Sequence, residues 1–261
     1  MRTRTNFWKP IWIIATSSYR EMVRDRILYG IFLIAALITG SSFFMATISL
    51  GQDSRILQNL GLAAIHLCTF AICTFVTAIA ISREYERRTL YLLFPKPISR
   101  GQYVLGKYVG SLLLLLSSLV ILGGILCLGM LAIDRTLIAG TIFSLGASFL
   151  EISLLTALTI FFSSFAAPLN AALYTTALFF IGHSLPTLKL YADRFGSRFS
   201  KGLVDLAYYL LPNLEKFSVR QALLYHLSIP PTAVTWSIIY WAIYTGLALI
   251  VAVQVIRRRE V

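Results

Sequence analysis

Charge is what this chain has least of. Of its 261 residues, 13% are charged and 57% are hydrophobic, where a soluble domain carries about 25% charge. So few charges cannot clothe a globule with a wettable surface. Three cysteines are too few for a disulfide scaffold. Low hydrophobicity, which intrinsic disorder requires, is absent, since the mean hydropathy is +0.77. Acidic residues are scarcer than basic ones, 11 against 23, giving a net charge of +12. Such basicity points to nucleic acid only when the basic residues gather on one face. The class that remains is an all-α, polytopic integral membrane protein.

The gaps between charges mark the spans. Residues 27–52, 56–82, 108–133 and 221–256 carry no charge, and 136–188 carry only Glu151. A bilayer core takes about 20 apolar residues per helix, so 136–188 is too long for one crossing. Pro168 divides it, because proline interrupts a helix interior. The sequence therefore predicts a single membrane domain over 1–261, with six transmembrane helices at about 27–50, 57–82, 103–132, 138–164, 168–186 and 232–256. The runs are continuous rather than alternating, which excludes a transmembrane barrel.

Basic residues set the orientation. Net charges of +4 before the first span, +4 after the second and +2 in the tail place both termini and the loop near 83–107 in the cytoplasm. The expected location is the cytoplasmic (inner) membrane of a prokaryote. The positive excess is thus topology, and no nucleic-acid partner is expected. The long segment 187–230 falls outside with a net +3, and one or two short external helices are expected there.

The segment 7–26 reads as an interfacial helix. Trp8, Ile11, Trp12, Ala15, Tyr19 and Met22 recur at helical spacing, and Pro10 suits a first turn. Trp8, Trp12 and Tyr19 are the expected anchors at headgroup level in the lipid bilayer.

Between the second and third spans lies Glu84-Tyr85-Glu86-Arg87-Arg88-Thr89-Leu90. Glu84 reaches Arg87 and Arg88 at i+3 and i+4, which supports a short charged helix over 83–94, closed by Pro95 and Pro97. Ser99 with Gln102 forms an S-x-x-Q capping box that starts the third span. Gly101 to Tyr108 nearly matches a phosphate-binding loop. Tyr108 replaces the required Ser or Thr, however, and no strand precedes it. Gly106-x-x-x-Gly110 instead suits close helix packing.

Glu84-x-Glu86-Arg87-Arg88-Thr89-Leu90, Pro97-Ile98-Ser99-Arg100 and Gly106-Lys107 together resemble the permease subunits of ABC-2-type ABC transporters. The likeness is to the branch of multi-copper-enzyme-maturation and nitrous-oxide-reductase accessory permeases. Ser163-Ser164-Phe165, Leu211-Pro212-Asn213-Leu214-Glu215 and Arg257-Arg258-Arg259 extend it over nearly the whole chain. The resemblance implies a type V exporter-like fold, half of a translocation pathway, and pairing with a second permease copy or a paralogue. It also implies two copies of a separate ABC ATPase subunit. The 83–94 helix, through Glu84, Glu86, Arg87, Arg88 and Thr89, would dock on that subunit. ATP and Mg would sit on the ATPase, so this chain is expected to be non-catalytic and to hold no cofactor of its own.

Inside the spans, Glu151 stands out, since a carboxylate near mid-membrane is costly. It is read either as a substrate or proton pathway group or as a helix-pairing hydrogen bond. Its candidate partners are His66, Gln58, Ser144 or a second copy. His183 and His226 flank the external segment. Cys68, Cys73 and Cys127 show no ligand spacing, and no metal site is expected. Rival readings are an integral membrane enzyme or a secondary transporter using Glu151. No nucleophile–base set supports the first, and no inverted repeat supports the second.

Overall fold

The structure is a computed structural model that describes residues 7–48, 53–86, 99–133, 137–218 and 230–258. Within them the chain is helical throughout, with no strand among the described residues. The elements are α1 (Trp8–Val23), α2 (Arg26–Ile48), α3 (Asp53–Ala71), a π-helical turn (Ile72–Val76) and α4 (Thr77–Glu86). Then follow α5 (Arg100–Ile133), α6 (Ile138–Ser163), α7 (Pro168–Phe195), α8 (Arg198–Leu210), a 3₁₀ turn (Leu214–Phe217) and α9 (Pro231–Arg258). Four helices among the described residues are long and apolar enough to cross a membrane. They are Ser54–Ile81, Arg100–Leu131, Ile138–Ser163 and Pro231–Arg258. The stretch expected at 27–50 begins in α2, where Arg26–Ser41 is a shorter apolar helix, and that at 168–186 runs within α7, which is not among the four.

Helix α1 is two-faced. Ile11, Ala15, Ser18 and Met22, at i, i+4, i+7 and i+11, are buried, whereas Trp8 and Trp12 are exposed and Tyr19 is half-buried. The buried stripe lies on α5, and glycine makes the approach possible. A Cβ at Gly106 would stand 2.7 Å from Cβ of Ile14, and one at Gly110 would stand 2.8 Å from the carbonyl oxygen of Ala15. The start of α5 is fixed by the capping box. Ser99 N–H donates to Gln102 Oε1 at 2.9 Å, and Gln102 N–H donates to Ser99 Oγ at 3.2 Å. Gln102 Nε2 also donates to the Phe7 carbonyl at 3.2 Å, pinning the head of α1 to that of α5. Arg100 Nη1 donates at 2.7 Å to the carbonyl of Ile256, one of the orphan acceptors at the end of α9.

The corner between α1 and α2 turns on Asp25. Its Oδ1 accepts the Ile27 N–H at 3.0 Å, and its Oδ2 accepts Arg83 Nη1 at 2.7 Å. The end of α4 is thereby tied to this corner.

The α3–π–α4 rod runs through the middle of the bundle. Leu57, Ile65 and Phe70 of α3 pack with Leu115, Leu122 and Leu126 of α5 and with Leu154 and Leu155 of α6. At Gly61 a Cβ would fall 2.5 Å from Leu126 Cδ1, so a leucine of α5 fills the space that a side chain there would take. The π turn is enclosed on several sides. Ile72 and Val76 meet Met22, Leu28 and Leu114, Cys73 joins the main core, and Phe75 lies toward Ala171 and Ala172. A wide turn holds i→i+5 bonds and so presents one more residue per turn to its surroundings. Near the Arg100 end, Ile81, Tyr103, Val104, Ala157, Ile160, Ala252 and Ile256 close a second core.

Hydroxyls join helices across the apolar interior. Thr77 bonds Ser111 at 3.2 Å, Thr159 bonds Thr175 at 3.2 Å, and Trp241 Nε1 donates to Ser153 Oγ at 2.6 Å. Helix α6 stops at Ser163, and Pro168 opens α7, where its missing N–H costs nothing. Helix α7 then continues through Pro186 to Phe195, nine residues beyond the expected end of that span. Gly196 and Ser197 break it, and Ser197 Oγ caps α8 by accepting the Ser200 N–H at 3.3 Å.

The apolar face of α8 (Phe199, Leu203, Leu206 and Leu210) is exposed. Lys189 of α7 pairs with Asp205 of α8 at 3.4 Å. The extended link after α8 is held by Tyr240 of α9, whose hydroxyl accepts the Asn213 N–H at 2.7 Å. Leu214 then drops against Gly182, where a Cβ would lie 2.7 Å from its Cγ.

Candidate functional site

Among the described residues, three titratable side chains gather in the interior. His66 projects from α3, Glu151 from α6 and His183 from α7, and one ligand atom from each lies within 4.8 Å of the others. Glu151 Oε1 is 3.4 Å from His66 Nε2 and 3.3 Å from His183 Nε2. The Glu151 side chain is 3% exposed, against 19% for His66 and 30% for His183. The carboxylate is thus sealed while the imidazoles are partly exposed.

Each ring is steered through its other nitrogen. His183 Nδ1 is 3.1 Å from the Phe179 carbonyl, one helical turn back. A carbonyl only accepts, so Nδ1 carries the proton and Nε2 of the neutral ring is bare. His66 Nδ1 lies 3.1 Å from Ser148 Oγ, which sits one turn before Glu151 on α6. Phe179 also stacks on Phe70 with centroids 4.4 Å apart, and its ring lies 4.7 Å from that of His183. The stacked pair walls one side of the site.

This geometry poses a charge problem. A carboxylate oxygen and a bare imidazole nitrogen face each other at 3.3 Å, and both are acceptors. Neither Glu151 Oε1 nor His66 Nε2 has a well-formed hydrogen bond. A buried acceptor without a donor is costly. A positive centre relieves this: a proton bridges one pair of these atoms, and a metal ion can face all three.

Of the partners expected for Glu151, the structure brings in His66. Gln58 instead donates to Thr141 Oγ1 at 3.1 Å. Ser144 is buried elsewhere on α6. His183, read from sequence as flanking an external segment, is the second partner. A signal for it was present. Glu151 lies 12 residues before the end of α6 and His183 lies 15 after the start of α7. At 1.5 Å per residue these are depths of about 18 and 22 Å on an antiparallel pair. Sequence spacing shows no ligand cluster because the three donors come from three helices. The fold assembles what the spacing does not.

The other singled-out residues lie apart from this cluster. Glu84 and Glu86 stand in the last turn of α4, and Arg87, Arg88 and Thr89 fall outside the described residues, as does most of the 83–94 segment. Their neighbour Arg83 is bound to Asp25. Trp8 and Trp12 lie on the outer side of α1. Lys107, beside Gly106, is buried with its ammonium 4.0 Å from Glu21 of α1. The glycine admits α1 and the lysine meets its carboxylate.

A family profile described as ABC-2 family transporter protein matches residues 12–192. A protein of Pseudomonas aeruginosa named "Probable ABC transporter permease protein NosY" is 30% identical over 149 residues, 56% of this chain and 54% of that protein. The chain therefore spans about half the length of the curated relative it matches.

Proposed function

Because the chain belongs to the ABC-2 family of transporter proteins, we propose that it is the membrane permease subunit of an ABC transporter. The observation that carries this reading is the family match across 12–192, which takes in α2 to α6 and most of α1 and α7. Six spans from each of two copies, or from one copy and a paralogue, form an export pathway about a two-fold axis. Both termini lie in the cytoplasm, and the membrane is the inner membrane of a prokaryote. Trp8, Trp12 and Tyr19 anchor α1 at the headgroups. Two separate ATPase subunits hold ATP and Mg.

The 83–94 segment is the coupling element. Charge-assisted contacts from Glu84, Glu86, Arg87 and Arg88 fix its register on the ATPase. The connections of its neighbours support this role. Arg83 grips Asp25 at the α1–α2 corner, and Arg100, just beyond the segment, grips the end of α9. A push on the segment reaches α1, α2 and α9 through hydrogen bonds as well as through the bundle. ATP drives the change only if the two conformations differ in affinity for nucleotide and cargo.

Co-expression with a candidate ABC ATPase subunit tests the proposal. A stable complex with vanadate-sensitive ATP hydrolysis in lipid is expected. Replacing Glu86 and Arg87 by alanine leaves the permease folded and lowers both co-purification and transport. If that double variant pairs and transports normally, the coupling role is wrong. If no ATPase co-purifies with the unaltered chain and ion gradients drive transport instead, the secondary-transporter reading built on Glu151 replaces it.

A further inference from the structure

We propose that His66, Glu151 and His183 form a binding site for a single divalent transition-metal ion of the zinc or cobalt type. The inference stands apart from the transport reading, because it concerns what three side chains of this chain hold.

The donor set comes first. Two imidazoles and one carboxylate are borderline ligands that suit first-row divalent ions and leave a position open. The spacing comes next. Zinc bonds of about 2.0–2.1 Å in a tetrahedron place neighbouring ligand atoms roughly 3.3 Å apart. The two carboxylate-to-imidazole distances are 3.3 and 3.4 Å. One ligand atom from each residue lies within 4.8 Å of the others, close enough for a single ion to reach all three.

Orientation is the third argument. Metal-binding histidines engage their second nitrogen with a carbonyl, carboxylate or hydroxyl, which fixes the tautomer and aims the free nitrogen at the ion. Here Phe179 carbonyl holds His183 Nδ1 and Ser148 Oγ holds His66 Nδ1, each at 3.1 Å. Both Nε2 atoms are left for the centre. Finally, Glu151 Oε1 and His66 Nε2 are buried without a formed hydrogen bond. Two buried polar atoms without partners, converging from separate helices, are what a cation would complete. A simple helix-pairing bond needs one donor and one acceptor, not three acceptor-capable atoms around one point.

The experiment uses the full-length chain in lipid nanodiscs, with any affinity tag removed, titrated with Co²⁺ alone. The expected result is one Co²⁺ per chain, with the visible d–d bands of a four-coordinate ion, displaced by Zn²⁺. Glu151→Gln and His183→Gln lose the bands. Ser148→Ala keeps every ligand and weakens binding by about 10-fold or more through the loss of an outer contact. Thermal unfolding of each variant separates lost ligands from a lost fold. Absence of saturable Co²⁺ binding to the unaltered chain overturns the proposal and leaves a shared proton as the centre's cation. Bands that persist in both ligand variants overturn it as well, since the ion would then sit elsewhere. Neither result depends on an ATPase, so failure of the coupling reading leaves this test intact.

Discussion

Two glycines on the same helix should respond to alanine with opposite signs. At Gly110 of α5, a Cβ would lie 2.8 Å from the carbonyl oxygen of Ala15 and 2.9 Å from Cβ of Ser18. The first is backbone and the second is fixed to it, so no rotamer change relieves the contact and α1 itself must move. Overpacking of this kind costs about 1–3 kcal/mol. Alanine returns about 1 kcal/mol of helix propensity, so the net change at Gly110 is a loss of up to about 2 kcal/mol. At Gly124, also on α5, nothing lies within 4 Å of the added carbon. Gly124→Ala keeps the propensity gain of about 1 kcal/mol without a clash.

For a chain of this size each kcal/mol moves the melting temperature by roughly 2–4 °C. Thermal unfolding in nanodiscs should therefore bracket the unaltered protein, with Gly110→Ala below it and Gly124→Ala above. Gly106→Ala, whose Cβ would meet Ile14 Cβ at 2.7 Å, falls below as well. Because Gly106 and Gly110 face the same helix, their effects should not add. Once α1 has been displaced, the second clash is already relieved. A Gly110→Ala protein as stable as Gly124→Ala would refute the close docking of α1 on α5. Fully additive losses would refute the idea that α1 moves as one body.

Two further perturbations test the connections that surround the core. Asp25→Ala removes the acceptor for the Ile27 N–H and the partner of Arg83. The cap is worth about 1 kcal/mol, and the half-exposed ion pair adds at most about as much, so a fall of a few degrees in melting temperature and faster amide exchange at Ile27 are expected. An unchanged exchange rate would show that the corner is held by packing alone. Tyr240→Phe strands the Asn213 N–H, which that hydroxyl accepts at 2.7 Å. A loss of about 1–3 kcal/mol should appear with local loosening of 211–217 in hydrogen exchange, and a silent variant would mean water takes over the bond.

The features legible in the sequence were those written in neighbouring residues. Ser99 and Gln102 sit three apart and cap each other, Pro168 opens the helix after Ser163, and Gly196 with Ser197 separates α7 from α8. Each rests on backbone chemistry that needs no partner helix. Glu151 was conspicuous because it broke a long uncharged run. Its second partner was not, since His183 meets it only once α6 and α7 are laid side by side at a definite depth. The inner face of α1 was half-legible. The apolar stripe pointed to burial in a membrane surface, yet Ala15 and Ser18 are small because another helix lies there, and Gly106 and Gly110 are its counterpart. The fifth span was expected to end at 186, but its helix runs on through Pro186 to Phe195. The π turn at Ile72–Val76 left no mark in the sequence, and its side chains meet neighbours from several elements.

That wide turn sets a phase. It lies on the one rod that carries His66 below it and the charged end of α4 beyond it. An ordinary helix advances about 100° per residue, so one residue absorbed in a π turn rotates everything beyond it by about that angle relative to His66. The direction in which Arg83 points is therefore governed by a residue count in the middle of the bundle. Sliding the wide turn by one position along the rod would swivel a few side chains in sequence while both ends stay where they are. The register between His66 and the end of α4 is thus a matter of where along the rod the extra residue is absorbed.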